Sequence, residues 1–150
     1  MYWHLYGGYA LRVTSSFMLL LLFCGCHIKL VSDYDDDFVK AATNVEKEIS
    51  TFLQNMKNPV SGSNLTYAGN IATYNKIEVD LNGLLVLARA HENNDQTIAQ
   101  VDQIIYLVSS LEKLHKSGPL SPAFVDQEQK DISLAISLVI RTENDKKANK

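Results

Sequence analysis

Cysteine is nearly absent from this chain of 150 residues. Its two cysteines, Cys24 and Cys26, both lie in an apolar N-terminal segment. The remainder can therefore hold neither a disulfide framework nor a cysteine-based zinc site. Positive charge is also scarce, because 14 Lys and Arg stand against 17 Asp and Glu, and only Arg12 of these precedes Cys26. Since no basic face is available to attract phosphates, nucleic acid is not an expected partner.

The N-terminal segment has the layout of an export signal. Arg12 precedes the apolar run at residues 17–23, and small residues follow the run at the point of cleavage. The apolar stretch of residues 17–28 is shorter than the roughly 20 residues that a membrane-spanning helix requires. A signal that is cleaved without lipid attachment and an uncleaved membrane anchor are the alternatives to a lipoprotein signal.

Cys26 is the cysteine that a lipid anchor would modify. The residue before a lipidated cysteine must be small, and Gly25 before Cys26 satisfies this requirement, whereas Phe23 before Cys24 does not. In this respect residues 23–26 resemble the lipobox of bacterial lipoproteins, although Phe23 stands where an aliphatic residue is usual.

The lipobox resemblance implies a signal peptide at residues 1–25, lipid attachment at Cys26 and a tether at residues 26–32. Bacterial lipoproteins carry several acyl chains, and more than one chain is what stable anchoring requires. His27 follows the modified cysteine, so the aspartate that retains many lipoproteins in the inner membrane is absent. By resemblance, this points to the periplasmic face of the outer membrane.

Four segments after the tether have the apolar spacing of amphipathic helices. They cover about residues 33–57, 65–93, 95–116 and 121–144. Ser32 or Asp33 can cap the first helix, Asn58-Pro59 ends it, and Ser121-Pro122 opens the fourth. The expected inward stripes are Phe38, Ala42, Val45, Ile49, Phe52 and Met56; Tyr67, Ile71, Tyr74, Ile77, Leu81, Leu84, Leu85 and Ala88; Ile98, Val101, Ile105, Val108, Leu111 and Leu114; and Phe124, Ile132, Ala135, Ile136 and Val139.

These segments predict an all-α fold after the signal segment. Four long helices with short connections favour a four-helix up-down-up-down bundle at residues 33–144, followed by a frayed polar tail at residues 145–150. Gly69 and Gly83 each weaken the second helix by about 1 kcal/mol relative to alanine, which indicates close packing against a neighbour. No segment alternates with period two for long enough to predict a strand.

The region from Asp33 to Lys146 resembles a group of small, uncharacterised bacterial lipoproteins of the Gram-negative type. The matching features are Tyr34-Asp35 soon after the lipobox, the helix with Tyr67 and Tyr74, and Leu120-Ser121-Pro122-Ala123-Phe124 at the start of the last helix. The resemblance implies an all-helical envelope lipoprotein and supplies no activity.

No catalytic or metal-binding set is recognisable. A calcium loop that started at Asp33 would need Gly and Glu where the chain has Phe38 and Asn44. Glu112 and His115 have the Glu-x-x-His spacing of di-iron bundles, but a second copy of that motif is missing, so His115 is interpreted as a cation in a last helical turn. The serine elbow and the phosphate loop are missing too. We therefore expect no enzymatic activity, no metal and no cofactor.

Four aromatic residues form the candidate ligand-binding site, as an aromatic-lined groove: Tyr67, Tyr74, Tyr106 and Phe124. Aromatic residues at helical spacing belong more often to a core. The sequence as a whole favours an envelope lipoprotein whose helical domain binds or scaffolds another envelope protein. The alternative is a carrier or sensor that holds a small apolar ligand between its helices.

Overall fold

The structure, a computed structural model, describes residues 31–148. Within this range the chain forms four α-helices and no strand, which confirms the all-α helical bundle. The helices are α1 (Asp36–Lys57), α2 (Tyr67–Arg89), α3 (Asp95–Ser117) and α4 (Pro122–Ala148). The expected signal peptide and its lipid-attachment residue, Cys26, lie outside the described residues.

Helix α1 follows its apolar pattern throughout. Asp35 is its N-cap, and the side chain accepts hydrogen bonds from the backbone N–H groups of Asp37 (2.9 Å) and Phe38 (3.1 Å). These two N–H groups would otherwise lack a partner inside the helix. All six residues of the expected stripe are buried, and Leu53 is buried with them. The cap lies later in the chain than the expected Ser32 or Asp33.

The buried face of α3 overlaps only in part with the stripe that hydrophobicity predicts, sharing Val101, Val108 and Leu111 with it. Its buried residues are Thr97, Val101, Ile104, Val108, Leu111 and His115. Of the expected residues, Ile98 and Ile105 are only half-buried, and Leu114 is 48% exposed. The difference arises because Thr97 and His115 find hydrogen-bond partners inside the bundle. Polar residues satisfied in this way occupy core positions that an apolar pattern cannot mark.

Helices α2 and α4 depart from their expected stripes near their first turns. Tyr67 is half-buried and Ile71 is exposed, whereas the rest of the α2 stripe is buried. In α4 the residue buried closest to the start is Val125, and Phe124 packs half-buried against the core from one side. These departures fall beside the loops that enter the two helices, and Ala135, farther along α4, is half-buried as well.

Each helix packs against two others, so that the contacts close a ring. Helix α1 packs on α2 and α4, and α3 packs on the same two helices. Within residues 31–148 the pairs α1–α3 and α2–α4 do not approach each other closely. Buried apolar side chains from all four helices fill one core between them. None of these four helices combines the length and the apolar character that crossing a bilayer demands.

A buried ion pair lies at the end of the bundle where α4 finishes. The Nζ atom of Lys146 is 2.6 Å from Oε2 of Glu143, and the two side chains are 5% and 1% exposed. Nζ also lies within hydrogen-bond distance of Ser32 Oγ (2.8 Å), Asn94 Oδ1 (2.6 Å) and Thr97 Oγ1 (3.2 Å). An ammonium group is tolerated away from water only when such partners replace its hydration.

This ion pair explains why α4 extends past its expected end. Sequence analysis places residues 145–150 in a frayed polar tail, but α4 continues to Ala148. The last turns hold Lys146 in the core, and Glu143 uses its second oxygen to accept a hydrogen bond from the backbone N–H of Asp35 (2.8 Å). The charged composition of this segment hides its structural role, because charged residues rarely lie in a core.

Removing the ammonium group of Lys146 leaves Glu143 buried without its counter-charge. We expect Lys146→Ala to lower the free energy of unfolding by about 3–5 kcal/mol, as breaking a buried pair from one side does. Lys113 is exposed and has no side-chain partner within residues 31–148. Lys113→Ala should therefore change the free energy by less than about 0.5 kcal/mol. Urea denaturation followed by circular dichroism measures both, and equal losses for the two variants would contradict the burial of the pair.

Asp35 makes the stability of the bundle depend on pH. Burial by itself would raise the pKa of its carboxyl group. Hydrogen bonds from His91 (Nε2 to Oδ2, 2.9 Å) and from the backbone of Phe38 and Asp37 outweigh burial, and they hold the pKa below 3.8. A carboxyl group whose pKa is lowered by folding stabilises the protein above its unfolded-state pKa. That contribution is lost as the pH falls through the folded-state pKa.

We therefore expect Asp35→Asn to be less stable than the wild type at about pH 7, and the gap in unfolding free energy to shrink as the pH falls below about 3.9, the ordinary pKa of an aspartate. The control is Asp95→Asn, which removes an exposed carboxylate from the first turn of α3 and changes the net charge equally. Denaturant titrations at each pH measure the gap. A gap for Asp35→Asn that does not change as the pH is lowered through the acidic range would show that the carboxylate is not stabilised by folding.

Candidate binding groove

The ring of His115 is buried, although the residue lies in the last turn of α3. It is 2% exposed, with Nε2 at 2.8 Å from the carbonyl oxygen of Leu65 and Nδ1 at 3.0 Å from the hydroxyl of Tyr74. Because the carbonyl oxygen can only accept, Nε2 donates a proton to it. Sequence analysis places His115 in the last turn of α3, and the structure buries its ring in the core. The histidine links α2, α3 and the α1–α2 loop.

Aromatic rings surround this histidine. The ring of Tyr74 packs edge-on against Phe52, with centroids 4.9 Å apart, and lies 5.8 Å from the ring of Tyr67. Tyr67 donates a hydrogen bond from its hydroxyl to Oε1 of Glu112 (2.8 Å). Burial raises the pKa of Tyr74 far above its ordinary value, so its hydroxyl stays protonated. The cluster of Phe52, Tyr67, Tyr74 and His115 therefore ties three helices together.

The structure brings together only two of the four aromatic residues that the sequence proposes as a ligand site. Tyr67 and Tyr74 are neighbours in the cluster around His115. Tyr106 is 65% exposed on α3, and Phe124 packs half-buried against the core from α4. Within residues 31–148 neither of these two makes a ring contact with the tyrosine pair. An aromatic-lined groove made of all four residues is not what the described part of the chain contains.

A groove of about 670 Å³ lies instead beside this cluster, between α1, α2 and the loop that joins them. Phe52 belongs to both the groove and the aromatic cluster, and Leu65, whose carbonyl binds His115, lines the groove as well. The lining residues are Asn44, Lys47, Glu48, Thr51, Phe52, Asn55, Met56, Val60, Ser63, Asn64, Leu65, Gly69, Asn70 and Thr73. Amide and hydroxyl groups prevail in this lining over charged groups.

The α1 wall of the groove is a polar stripe. Asn44, Glu48, Thr51 and Asn55 follow one another at spacings of four, three and four residues, which places them on one face of the helix. Within residues 31–148 the carboxamides of Asn44 and Asn55 have no hydrogen-bond partner. Their polar groups are therefore available to a ligand.

The loop wall of the groove is held by asparagine side chains. Oδ1 of Asn64 accepts hydrogen bonds from the backbone N–H (3.0 Å) and the hydroxyl (2.7 Å) of Thr66, which is the N-cap of α2. The amide of Asn70 donates to the backbone oxygens of Asn64 (2.9 Å) and Thr66 (2.8 Å). A Cβ atom at Gly69 would clash with the side chain of Asn64, whereas a Cβ atom at Gly83 would meet no other atom within 4 Å. Of the two glycines expected to mark close packing, only Gly69 does so.

One residue of the groove lining, Glu48, takes part in an ion pair. Lys76 on α2 bridges Glu48 on α1 and Asp80 on its own helix, at 2.9 Å from the latter. Lys47 is exposed and has no carboxylate partner within residues 31–148. No group of three or more His, Cys, Asp or Glu side chains in the described part of the chain is placed to hold a metal ion.

Comparisons with known proteins add no information on this groove. No protein-family model, no curated protein and no solved structure matches this chain.

The hydrogen bond between Tyr74 and His115 supports the floor of the groove. Tyr74→Phe removes the hydroxyl that is hydrogen-bonded to Nδ1, so we expect the free energy of unfolding to fall by about 1–3 kcal/mol. Tyr106→Phe makes the same chemical change at an exposed tyrosine and should stay within about 0.5 kcal/mol of the wild type. Thermal and urea denaturation measure both variants. If Tyr74→Phe is as stable as Tyr106→Phe, the buried hydrogen bond does not exist in solution.

Proposed function

We propose that this chain is a lipid-anchored lipoprotein of the cell envelope, whose helical domain binds another envelope protein through the groove between α1 and α2. In this proposal Cys26 carries the lipid at the periplasmic face of the outer membrane. The observation that carries the binding role is the pair of unpartnered carboxamides, Asn44 and Asn55, in a preformed groove. Exposed polar groups arranged along an apolar floor are typical of binding sites.

The proposed arrangement of the helices is up-down-up-down. Contacts between the start of one helix and the end of its neighbour support it. Lys57 at the end of α1 lies 2.7 Å from Asp126 at the start of α4. Gln100 near the start of α3 donates a hydrogen bond to Thr142 near the end of α4 (3.0 Å). In this topology the α1–α2 and α3–α4 loops lie at one end of the bundle, and the groove opens beside the first of them.

The alternative of a small apolar ligand held between the helices has less support. A cavity of about 110 Å³ lies between α2 and α3, which is well below the roughly 300–1,000 Å³ of ordinary ligand pockets. Glu78, Asn82 and Glu112 line it, together with Tyr74. Buried apolar side chains from all four helices fill the space between them. We therefore place ligand recognition on the outer groove.

The lipid anchor is tested by mass spectrometry of the mature N-terminus. We expect the wild-type chain to begin at Cys26, to carry acyl chains and to sediment with membranes. Cys26→Ala should be unacylated, while Cys24→Ala should behave as the wild type and so controls for loss of a cysteine. A mature N-terminus at any other residue would contradict the anchor.

The protein-binding role is tested in cells with a photo-crosslinking residue introduced at Thr51, which lines the groove. We expect a discrete adduct with an envelope protein. The matched control carries the same crosslinker at Val79, an exposed residue of α2 outside the groove, and should not give that adduct. A chain that forms no protein adduct from any groove position is not a protein-binding module of the kind proposed.

A further inference from the structure

We infer that the outer face of α2 is a self-association surface, on which a second copy of this chain packs its own α2 in the antiparallel direction. The surface is formed by Val79, Gly83 and Val86, and the charged residues Glu78 and Arg89 lie beside it. None of these residues lines the groove between α1 and α2, so the inference goes beyond the proposed function and does not depend on what the groove binds.

Helix α2 is apolar on its outer face as well as on its buried face. Val79, Gly83 and Val86 follow one another at spacings of four and three residues, which places them on one face of the helix. The two valines are each 68% exposed, more than any other large apolar side chain of the four described helices. A helix with apolar residues all round is usually buried on all sides. The outer face of α2 is therefore expected to be covered.

Packing within the bundle does not explain the glycine at position 83. A Cβ atom there would meet no other atom within 4 Å, so no neighbouring helix requires its absence. The backbone of Gly83 is helical and does not adopt a positive φ that would favour glycine. Glycine inside a helix costs stability relative to alanine. On an outer face, however, it lets the backbone of a second helix approach closely.

Two charges of α2 are left without a partner. Of its four charged residues, Lys76 and Asp80 pair with each other (2.9 Å), and Lys76 also pairs with Glu48 of α1. Glu78 and Arg89 are exposed, opposite in sign and without an ion-pair partner within residues 31–148. They stand eleven residues apart, close to three full turns, and so lie on the same side of the helix. At about 16 Å along the axis they are too distant to pair with each other.

An antiparallel copy brings these two charges together at the glycine. Around a twofold axis each side of a helix meets the same side of the other copy, and residues at equal distances from the axis are opposite each other. The midpoint between Glu78 and Arg89 falls between Gly83 and Leu84. An axis at that point places Glu78 of each copy opposite Arg89 of the other, with the two Gly83 residues facing each other at the centre.

The same register also pairs the exposed valines. Position 79 of one copy lies opposite position 88 of the other, so Val79 is displaced from Val86 of the other copy by two residues, or about 3 Å. The apolar, charged and glycine positions thus agree on one register. Because an isologous interface uses the same surface twice, it requires this self-complementarity, whereas a different protein would have to match the surface independently.

The composition of the face disfavours a bilayer as its occupant. Helices that lie in a membrane interface insert Trp, Phe or Leu and carry Lys and Arg on the polar side. The outer face of α2 has valine and glycine instead, with the acidic Glu78 and the amide of Asn82 beside them. Small residues suit close packing of two helices better than insertion into lipid.

Charge reversal tests the inference with two full-length copies that carry different C-terminal tags in one cell. Capture of one tag from detergent-solubilised membranes should recover the other. With Glu78→Arg in both copies, or Arg89→Glu in both copies, like charges face each other, so recovery should fall about tenfold or more. A Glu78→Arg copy produced with an Arg89→Glu copy has opposite charges at both contacts and should recover to within about twofold of the wild type. Without this recovery in the mixed pair, the antiparallel pairing is wrong.

The matched controls reverse charges on α3. Asp102→Arg and Lys113→Glu, at exposed residues outside the surface, should leave recovery within about twofold of the wild type. Gly83→Leu places a large side chain at the centre of the pair and should reduce recovery about tenfold or more, while Ala99→Leu, at an exposed residue of α3, should not. Since leucine forms helices better than glycine, circular dichroism should show that Gly83→Leu keeps its helix content. Full recovery with Gly83→Leu would overturn the inference.

A photo-crosslinking residue at Val79 identifies the occupant directly. We expect an adduct of two copies of this chain. An adduct with lipid or with a different protein would show that the second copy is not what covers the face. An adduct with an envelope protein at Thr51, without a two-copy adduct at Val79, would keep the proposed function and overturn this inference. A two-copy adduct at Val79 without any adduct at Thr51 would do the reverse.

Discussion

The buried ion pair between Lys146 and Glu143 holds together the end of the bundle at which α4 finishes. Two charges removed from water are tolerated only when their remaining hydrogen-bonding groups are satisfied, and each partner of this pair reaches a different part of the chain. Glu143 binds the backbone N–H of Asp35, the N-cap of α1, while Lys146 reaches the oxygen of Asn94, the N-cap of α3. Asn94 in turn donates to the carbonyl of Ala88 in α2 (2.6 Å). One ion pair therefore connects the ends of all four helices.

The network also explains why α3 begins without a side-chain cap of its own. The side chain of Asn94 makes no capping hydrogen bond, because its amide and its oxygen are already used by Ala88 and Lys146. A residue type that usually caps a helix is employed here to fix one helix against another. The first turn of α3 thus gives up local stabilisation, and the tertiary network replaces it. Such a network is highly directional, which restricts the relative placement of the helices more than apolar packing alone does.

The sequence predicts the parts of this fold that apolar periodicity controls, and it misses those that buried polar groups control. Helix α1 follows its stripe fully, because its core face is apolar from Phe38 to Met56. On α3 the polar residues Thr97 and His115 take core positions, so the predicted face is displaced. Lys146 is predicted to lie in a frayed tail but is buried, because the local sequence does not indicate that its partners come from distant segments. The groove was missed although its α1 stripe, from Asn44 to Asn55, follows a helical spacing of polar residues that could have identified one wall.

Some polar side chains of this bundle are bonded to partners inside the protein, whereas others, on the wall of the groove, are exposed without such a partner. At the end of the bundle where α4 finishes, the side-chain polar groups of Lys146, Glu143 and Asn94 are bonded to partners inside the protein. Beside the α1–α2 loop, Asn64 and Asn70 hold the backbone in place, while Asn44 and Asn55 are left without partners in the described part of the chain. His115 further fixes Leu65 from beneath. The loop wall is therefore fixed by hydrogen bonds from within the protein, so ordering it adds little conformational entropy cost to any contact made there.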